Sequence, residues 1–219
     1  MDLILLTVGP PLLILFYIIK SDRFIEPASA VIKIFVLGMI LIFPAGWLNG
    51  IFVTDETAYL AGLTEESLKY LAFILFVTKL DEFDEKMDAI VYGTLISLGY
   101  ATYENYEYVY LYFPETSSYL IASLRAFSAI PMHAMCGVIM GYHLGMYYFK
   151  NKSKSNSNLS HLFLALLIPI FVHGFYNYLQ RPWHFIFLIG ISFYVVRLHK
   201  EFVIQQSHKK NSLEVEIKS

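Results

Sequence analysis

Charge is what this chain has least of. Charged side chains make up only 16% of its 219 residues while 57% are hydrophobic, and a soluble domain carries about a quarter charged. That scarcity excludes a separate soluble domain of any size. A net charge of −2 offers no basic field to a phosphate backbone, so nucleic acid is excluded as a partner. One cysteine, Cys136, excludes an intramolecular disulfide, and its place beside Gly137 suits small-residue packing better than nucleophilic work. The first run, "MDLILLTVGPPLLILFYIIK", has no basic residues ahead of its apolar stretch and no small-residue cleavage site. It is expected to stay as a first membrane span rather than leave as a signal peptide. The chain also lacks an HExxH helix and any internal repeat.

Long apolar runs are plentiful. Roughly 20 residues cross the hydrocarbon core, and seven such segments can be drawn at about 3–19, 29–53, 58–79, 87–112, 118–149, 159–181 and 183–199. The pattern predicts an all-α, polytopic transmembrane helix bundle of about seven spans in the lipid bilayer. Residues 1–200 would form one domain and residues 201–219 a polar tail. The fifth segment is long enough to tilt or to kink at Pro131. Lys20 and Arg23, Lys79 and Lys86, and Lys150, Lys152 and Lys154 fall in alternate loops, and Arg197, Lys200, Lys209 and Lys210 lie at the C-terminal end. The intervening loops hold Asp55, Glu56 and Glu115, with Arg181 as their single basic residue. Positive residues favour the cytoplasm, so the N-terminus is expected outside and the C-terminus inside. "KNKSKSNSN" reads as a solvated linker and "QQSHKKNSLEVEIKS" as a polar tail without its own core. Asp88 is expected to favour a helix N-terminus and is given no chemistry.

Against this apolar background, "AGLTEESLKYLAFILF" places Glu65, Glu66 and Lys69 inside a span, where each charge costs at least ~2.5–3.5 kcal/mol. At 1.5 Å per residue, Glu65 and Glu66 lie ~10–12 Å below the outer face, Glu104 about 13 Å, His173 about 12 Å and His133 ~15–22 Å. Four helices therefore bring their least membrane-compatible side chains to one level. Lys69 lies between the two glutamates in angle and can neutralise either. His173 and Asn177, and Tyr100 and Glu104, are i, i+4 pairs sharing a face. His133 heads the ladder Gly137, Gly141, Gly145, whose small-xxx-small spacing lets another helix approach closely and turns the histidine inward. Glu107 reads as mouth solvation or a partner for Arg125, and the remaining histidines carry no role. Such a set suits water activation by a desolvated glutamate, with histidine or asparagine donating to an oxyanion. It could instead hold zinc or conduct protons, as a proton-coupled transporter or channel would. The inner halves "LAFILFV" and "LFLALLI" are almost free of polar groups, which argues against a transport path.

The ordered set "EESLK" (65–69), "YATYEN" (100–105), "RAFSAIPMHAMCGVIMGYHLG" (125–145) and "HGFYN" (173–177) resembles the PrsW family of bacterial intramembrane proteases, distant relatives of the CAAX prenyl proteases. The resemblance implies that Glu65 activates water with Glu66 beside it. It implies that Glu104 ends an FxxxE motif, here with Tyr100 for the aromatic, and that His133 is the single-histidine motif. His173 and Asn177 would fill a final HxxxD/N motif that binds water or the oxyanion. Asn177 stands where relatives often carry Asp; an amide is a poor metal ligand, which favours a glutamic mechanism with no cofactor. If zinc is held instead, the implied ligands are Glu65, Glu104, His133 and His173. The resemblance further implies a bacterial plasma-membrane location and a single-span anti-sigma factor as the protein partner, cut on its extracytoplasmic side.

Overall fold

A computed structural model of the chain describes residues 2–112, 118–149, 156–180 and 182–218. Most of those residues are helical, and no strand occurs among them. The helices are α1 (Leu3–Ser21), α2 (Ala28–Ile40), α3 (Ile42–Phe52), α4 (Leu60–Phe76), α5 (Lys86–Tyr106), α6 (Ser118–Phe127), α7 (Ala129–Tyr148), α8 (Asn156–Tyr178) and α9 (Trp183–Lys218). A π-helical segment, Glu107–Tyr112, extends α5. The linker expected at 150–158 lies, over residues 150–155, outside the described residues, as do the loop charges Glu115 and Arg181.

Two of the expected spans are broken helices, and each break has a proline behind it. The second span divides at Leu41 into α2 and α3, because Pro44 cannot donate to the carbonyl of Ile40 and its ring crowds it. The fifth divides at Ser128, whose φ of −130° and ψ of −78° leave the helical region, four residues after Leu124 and three before Pro131. The proline thus acts one turn upstream of its own position, through the carbonyl of Phe127.

The centre of the bundle is the α5–α7 pair, both buried along nearly their whole length. Glycine permits their closeness: a Cβ on Gly137 would stand 2.7 Å from the Gly93 carbonyl oxygen and 2.8 Å from the Thr94 Cα. The glycine ladder of α7 therefore faces α5, the helix that carries Glu104. Around this pair pack α1, α2, α4, α8 and α9, and their outward faces expose large apolar side chains such as Leu13, Ile32, Phe171 and Phe193. By length and composition, four helical stretches suffice to cross a membrane: Leu3–Ser21, Ala28–Phe52, Ser118–Tyr148 and Leu159–Tyr178. α4 and α5 are not among them: both carry charged residues within the helix, and α5 is buried along nearly its whole length while α4 keeps an outward apolar face. α9 runs through residue 200 without a break, and Phe202, stacked on Tyr142 at 4.7 Å, and Gln206 are both buried beyond it. The polar tail is thus helical to Lys218.

Candidate functional site

Glycine also sets the spacing of the two helices that begin the site. A Cβ on Gly62 would lie 2.5 Å from the Gly174 nitrogen and 2.9 Å from the Ile170 carbonyl oxygen, so α4 and α8 touch through their backbones. One turn further along α4, Glu65 and Glu66 consequently meet His173 of α8.

The two adjacent glutamates have different surroundings. Glu66 is fully buried, and its Oε1 accepts from Lys69 Nζ at 2.7 Å and lies 3.0 Å from His173 Nδ1. Lys69 is equally buried, lies 3.0 Å from His133 Nδ1, and sits 4.2 Å from the centroid of the Tyr100 ring, a cation–π contact. Glu65 is only 3.9 Å from Lys69 and from His173 through Oε2, which accepts no hydrogen bond among the described residues. Its Oε1 accepts from Asn49 Nδ2 at 3.1 Å, and the Asn49 carbonyl oxygen in turn accepts from Thr64 Oγ1. Lysine therefore neutralises the second glutamate and leaves the first with an unpartnered oxygen. Glu66 Oε2 is also unpartnered, but Glu66 does not border the cavity and Glu65 does.

That cavity, about 390 Å³, is lined by Glu65, Tyr100, Glu104, Arg125, His133 and His173 among others. Glu104 lies 3.1 Å, through Oε2, from His133 Nε2 and forms an ion pair with Arg125. Arg125 also donates to Asn105 Oδ1 at 2.9 Å and lies 4.0 Å from the centroid of the Tyr108 ring, while Asn105 donates to the Thr7 carbonyl at 2.8 Å. The histidine rings meet edge to face at 4.9 Å. The partners fix the tautomers. An ammonium at His133 Nδ1 makes that nitrogen an acceptor, so Nε2–H donates to Glu104. A carboxylate at His173 Nδ1 takes that N–H, which in the neutral ring makes Nε2 the acceptor.

Five of the sequence-predicted residues, Glu65, Glu66, Glu104, His133 and His173, thus form one connected cluster. Asn177 also lines the cavity, but one of its amide hydrogens goes to the Ala58 carbonyl at 3.2 Å, pinning α8 to the approach to α4. Three contacts were not foreseen. Arg125 pairs with Glu104, not Glu107; Asn49 orients Glu65; and Lys69 reaches across to His133. The signals were present: Asn49 is a lone amide in "GWLNGIF", and Arg125 opens the segment that holds His133.

Glu65, His133 and His173 each offer a metal-ligand atom, all within 4.8 Å of one another. Two imidazoles and a carboxylate, with an unpartnered oxygen on the carboxylate, are the donor set of catalytic zinc sites, so the residues fit such an ion once His133 gives up its hydrogen bond to Lys69 or Glu104.

Fold and site together define a multi-pass helical membrane protein with an acid–imidazole cluster beside an internal cavity. The comparisons narrow that class. Residues 26–199 match the family described as PrsW family intramembrane metalloprotease. The chain is 33% identical over 199 residues to Protease PrsW of Oceanobacillus iheyensis, covering 86% of this chain and 87% of that one. It is 34% identical to Protease PrsW of Clostridioides difficile, covering 91% and 88%, and 33% identical to that of Bacillus subtilis, covering 78% and 79%. No solved structure gives a significant match. The chain belongs to the PrsW family of intramembrane proteases, and is a bacterial multi-pass membrane hydrolase. Membership favours proteolysis over the transporter alternative.

Proposed function

We propose that this protease hydrolyses a peptide bond of a single-span membrane protein of the anti-sigma-factor type, close to the extracytoplasmic side, using water activated by Glu65. The observation that carries this reading is the unequal treatment of the two adjacent glutamates. Glu66 is held by Lys69 and His173, whereas Glu65 keeps an unpartnered oxygen beside the cavity. A carboxylate so placed is free to take a proton from water and pass it to the leaving amine. Glu66 and Lys69 position the histidines. His133 is held by Lys69 and Glu104 at the cavity wall, and His173, whose Nε2 is uncommitted among the described residues, offers that nitrogen to water or substrate. Asn177 keeps a second amide hydrogen for an oxyanion at the cavity wall. Seven spans with the N-terminus outside, as the loop charges imply, put the cavity in the outer half of the bilayer, where a single-span substrate would be cut.

A second reading has a specific observation behind it. Glu65, His133 and His173, with Glu104 behind His133, are the residues that would hold zinc. When bound, such an ion lowers the pKa of its water to about 7. In that case Glu66 and Lys69 keep their positioning work and Glu65 serves as a ligand.

The direct test is cleavage. Purified protein in proteoliposomes with a single-span anti-sigma factor should release a fragment cut near the outer end of the substrate span, and H173A should not. Cleavage by H173A at the wild-type rate would refute the assignment of the site.

A further inference from the structure

A second cluster of carboxylates lies at the other end of α5, about 24 Å along the helix from Glu104 at 1.5 Å per residue. It joins Asp22, just after α1, Glu26, just before α2, and Asp88 in the first turn of α5. All three are buried, Asp22 to 4% exposure and Asp88 to 1%, and one oxygen of each lies within 4.8 Å of one from each of the others.

Their hydrogen bonds use only part of what they offer. Asp88 Oδ2 accepts from the backbone nitrogens of Asp84 (2.8 Å) and Glu85 (2.6 Å), closing a capping box. Asp22 Oδ1 accepts from the Phe24 nitrogen (2.9 Å) and from Gln206 Nε2 (2.8 Å), and Glu26 accepts from the Tyr92 hydroxyl. Asp22 Oδ2 and Asp88 Oδ1 are buried and accept nothing among the described residues. No lysine or arginine among those residues pairs with any of the three. At the catalytic cluster, by contrast, Glu66 has Lys69 and Glu104 has Arg125. Burying three converging carboxylates without a cation is costly. Gln206 links the cluster to solvent, since it and Glu85 also line a separate cavity of about 330 Å³.

We propose that Asp22, Glu26 and Asp88 form a binding site for a hard divalent cation, Mg²⁺ or Ca²⁺, that ties the α1–α2 connection to α5 and, through Gln206, to α9. The ligands are oxygen only, with neither imidazole nor thiolate, which selects hard ions over zinc or copper. The site is distinct from the catalytic cluster and does not depend on the proteolytic mechanism.

The test uses the full chain in detergent, stripped with EDTA and titrated with Mn²⁺ as a paramagnetic probe, with Mg²⁺ and Ca²⁺ as competitors. The expected result is one Mn²⁺ that either competitor displaces. Its affinity should fall about tenfold or more in D22N and in E26Q and stay unchanged in H173A. Asp88 is left intact because it also caps α5. The wild-type unfolding temperature, which needs no variant, should rise with millimolar Mg²⁺ or Ca²⁺ and not with a monovalent salt of equal ionic strength. Binding lost in H173A but kept in D22N and E26Q would overturn the proposal. So would a wild-type chain whose unfolding ignores both ions, since the carboxylates would then be sharing protons.

Discussion

Replacing Glu65 and Glu66 in turn by glutamine changes one charge at neighbouring positions, yet the structure assigns the two variants opposite phenotypes. In E65Q, the side chain loses a charge whose Oε2 has no hydrogen-bond partner and whose distance to Lys69 is 3.9 Å. What weakens is the hydrogen bond from Asn49, which now ends on a neutral amide oxygen. Exchanging a charged for a neutral acceptor costs about 1 kcal/mol, and relief of repulsion from Glu66 offsets part of it. In E66Q, Lys69 loses its close counter-ion at 2.7 Å while remaining fully buried, and His173 loses its carboxylate partner. Breaking a buried pair from one side costs about 3–5 kcal/mol; Glu65, the remaining carboxylate near Lys69, recovers only part of that at its greater distance. At about 2–4 °C per kcal/mol for a chain of this size, E66Q should unfold about 10 °C lower and E65Q within a few degrees of wild type. Activity should run the other way relative to stability. E65Q, folded and stable, should lose about 10²–10⁴-fold in cleavage rate, the span of a general base. The assay pairs thermal unfolding in detergent with fragment release in proteoliposomes. An E65Q variant that still cuts, or one that unfolds as early as E66Q, would refute the division of labour between the two glutamates.

Three further outcomes follow from single contacts. R125K keeps the charge but cannot hold Glu104 and Asn105 together while lying over Tyr108; cleavage should fall about tenfold, with R125A falling further, and equal rates for R125K and wild type would remove Arg125 from the site. G62A puts a Cβ 2.5 Å from the Gly174 nitrogen and should cost about 1–3 kcal/mol by overpacking while slowing cleavage as α4 and α8 part, measured by unfolding temperature and fragment release. Protein depleted of transition metals by a chelator, with depletion checked by elemental analysis, should keep its cleavage rate if Glu65 is the base; a loss restored by stoichiometric zinc would make Glu65 a ligand.

The architecture was largely legible because membrane helices announce themselves by apolar length, and the seven expected segments correspond to the observed helices or pairs of helices. The shared depth of Glu65, Glu104, His133 and His173 was legible too, since rise per residue is nearly constant in a helix. Partner choice was not. Lys69 lies between Glu65 and Glu66 in angle, so only its tertiary neighbours, His133 and the Tyr100 ring, decide that it turns toward Glu66. From sequence Arg125 was offered to Glu107, whereas in the fold, with the helix broken at Ser128, it pairs with Glu104. Asp88 shows a different limit. Its capping role could be read from position alone, but its approach to Asp22 and Glu26 depends on how the α1–α2 connection meets α5, which no local pattern encodes.

The distribution of cost across the cluster explains how a bilayer protein can carry three carboxylates together, Glu65 and Glu66 buried and Glu104 13% exposed. Lys69 and Arg125 each neutralise one carboxylate, and each cation lies over a tyrosine ring, Tyr100 or Tyr108. The cations are thereby held in place on faces that are themselves apolar, so the pairs need little water. Two of the three carboxylates are in this way made tolerable by fixed partners on α4 and α6. The third, Glu65, has an amide hydrogen bond and charge contacts at 3.9 Å among the described residues, and it lines the cavity together with the Arg125-paired Glu104. A fold selected for stability alone would have paired it as well. On the proposed mechanism, leaving that carboxylate without a close cation, next to space that admits water and beside two imidazoles, would convert a penalty of burial into a base held ready for one substrate bond.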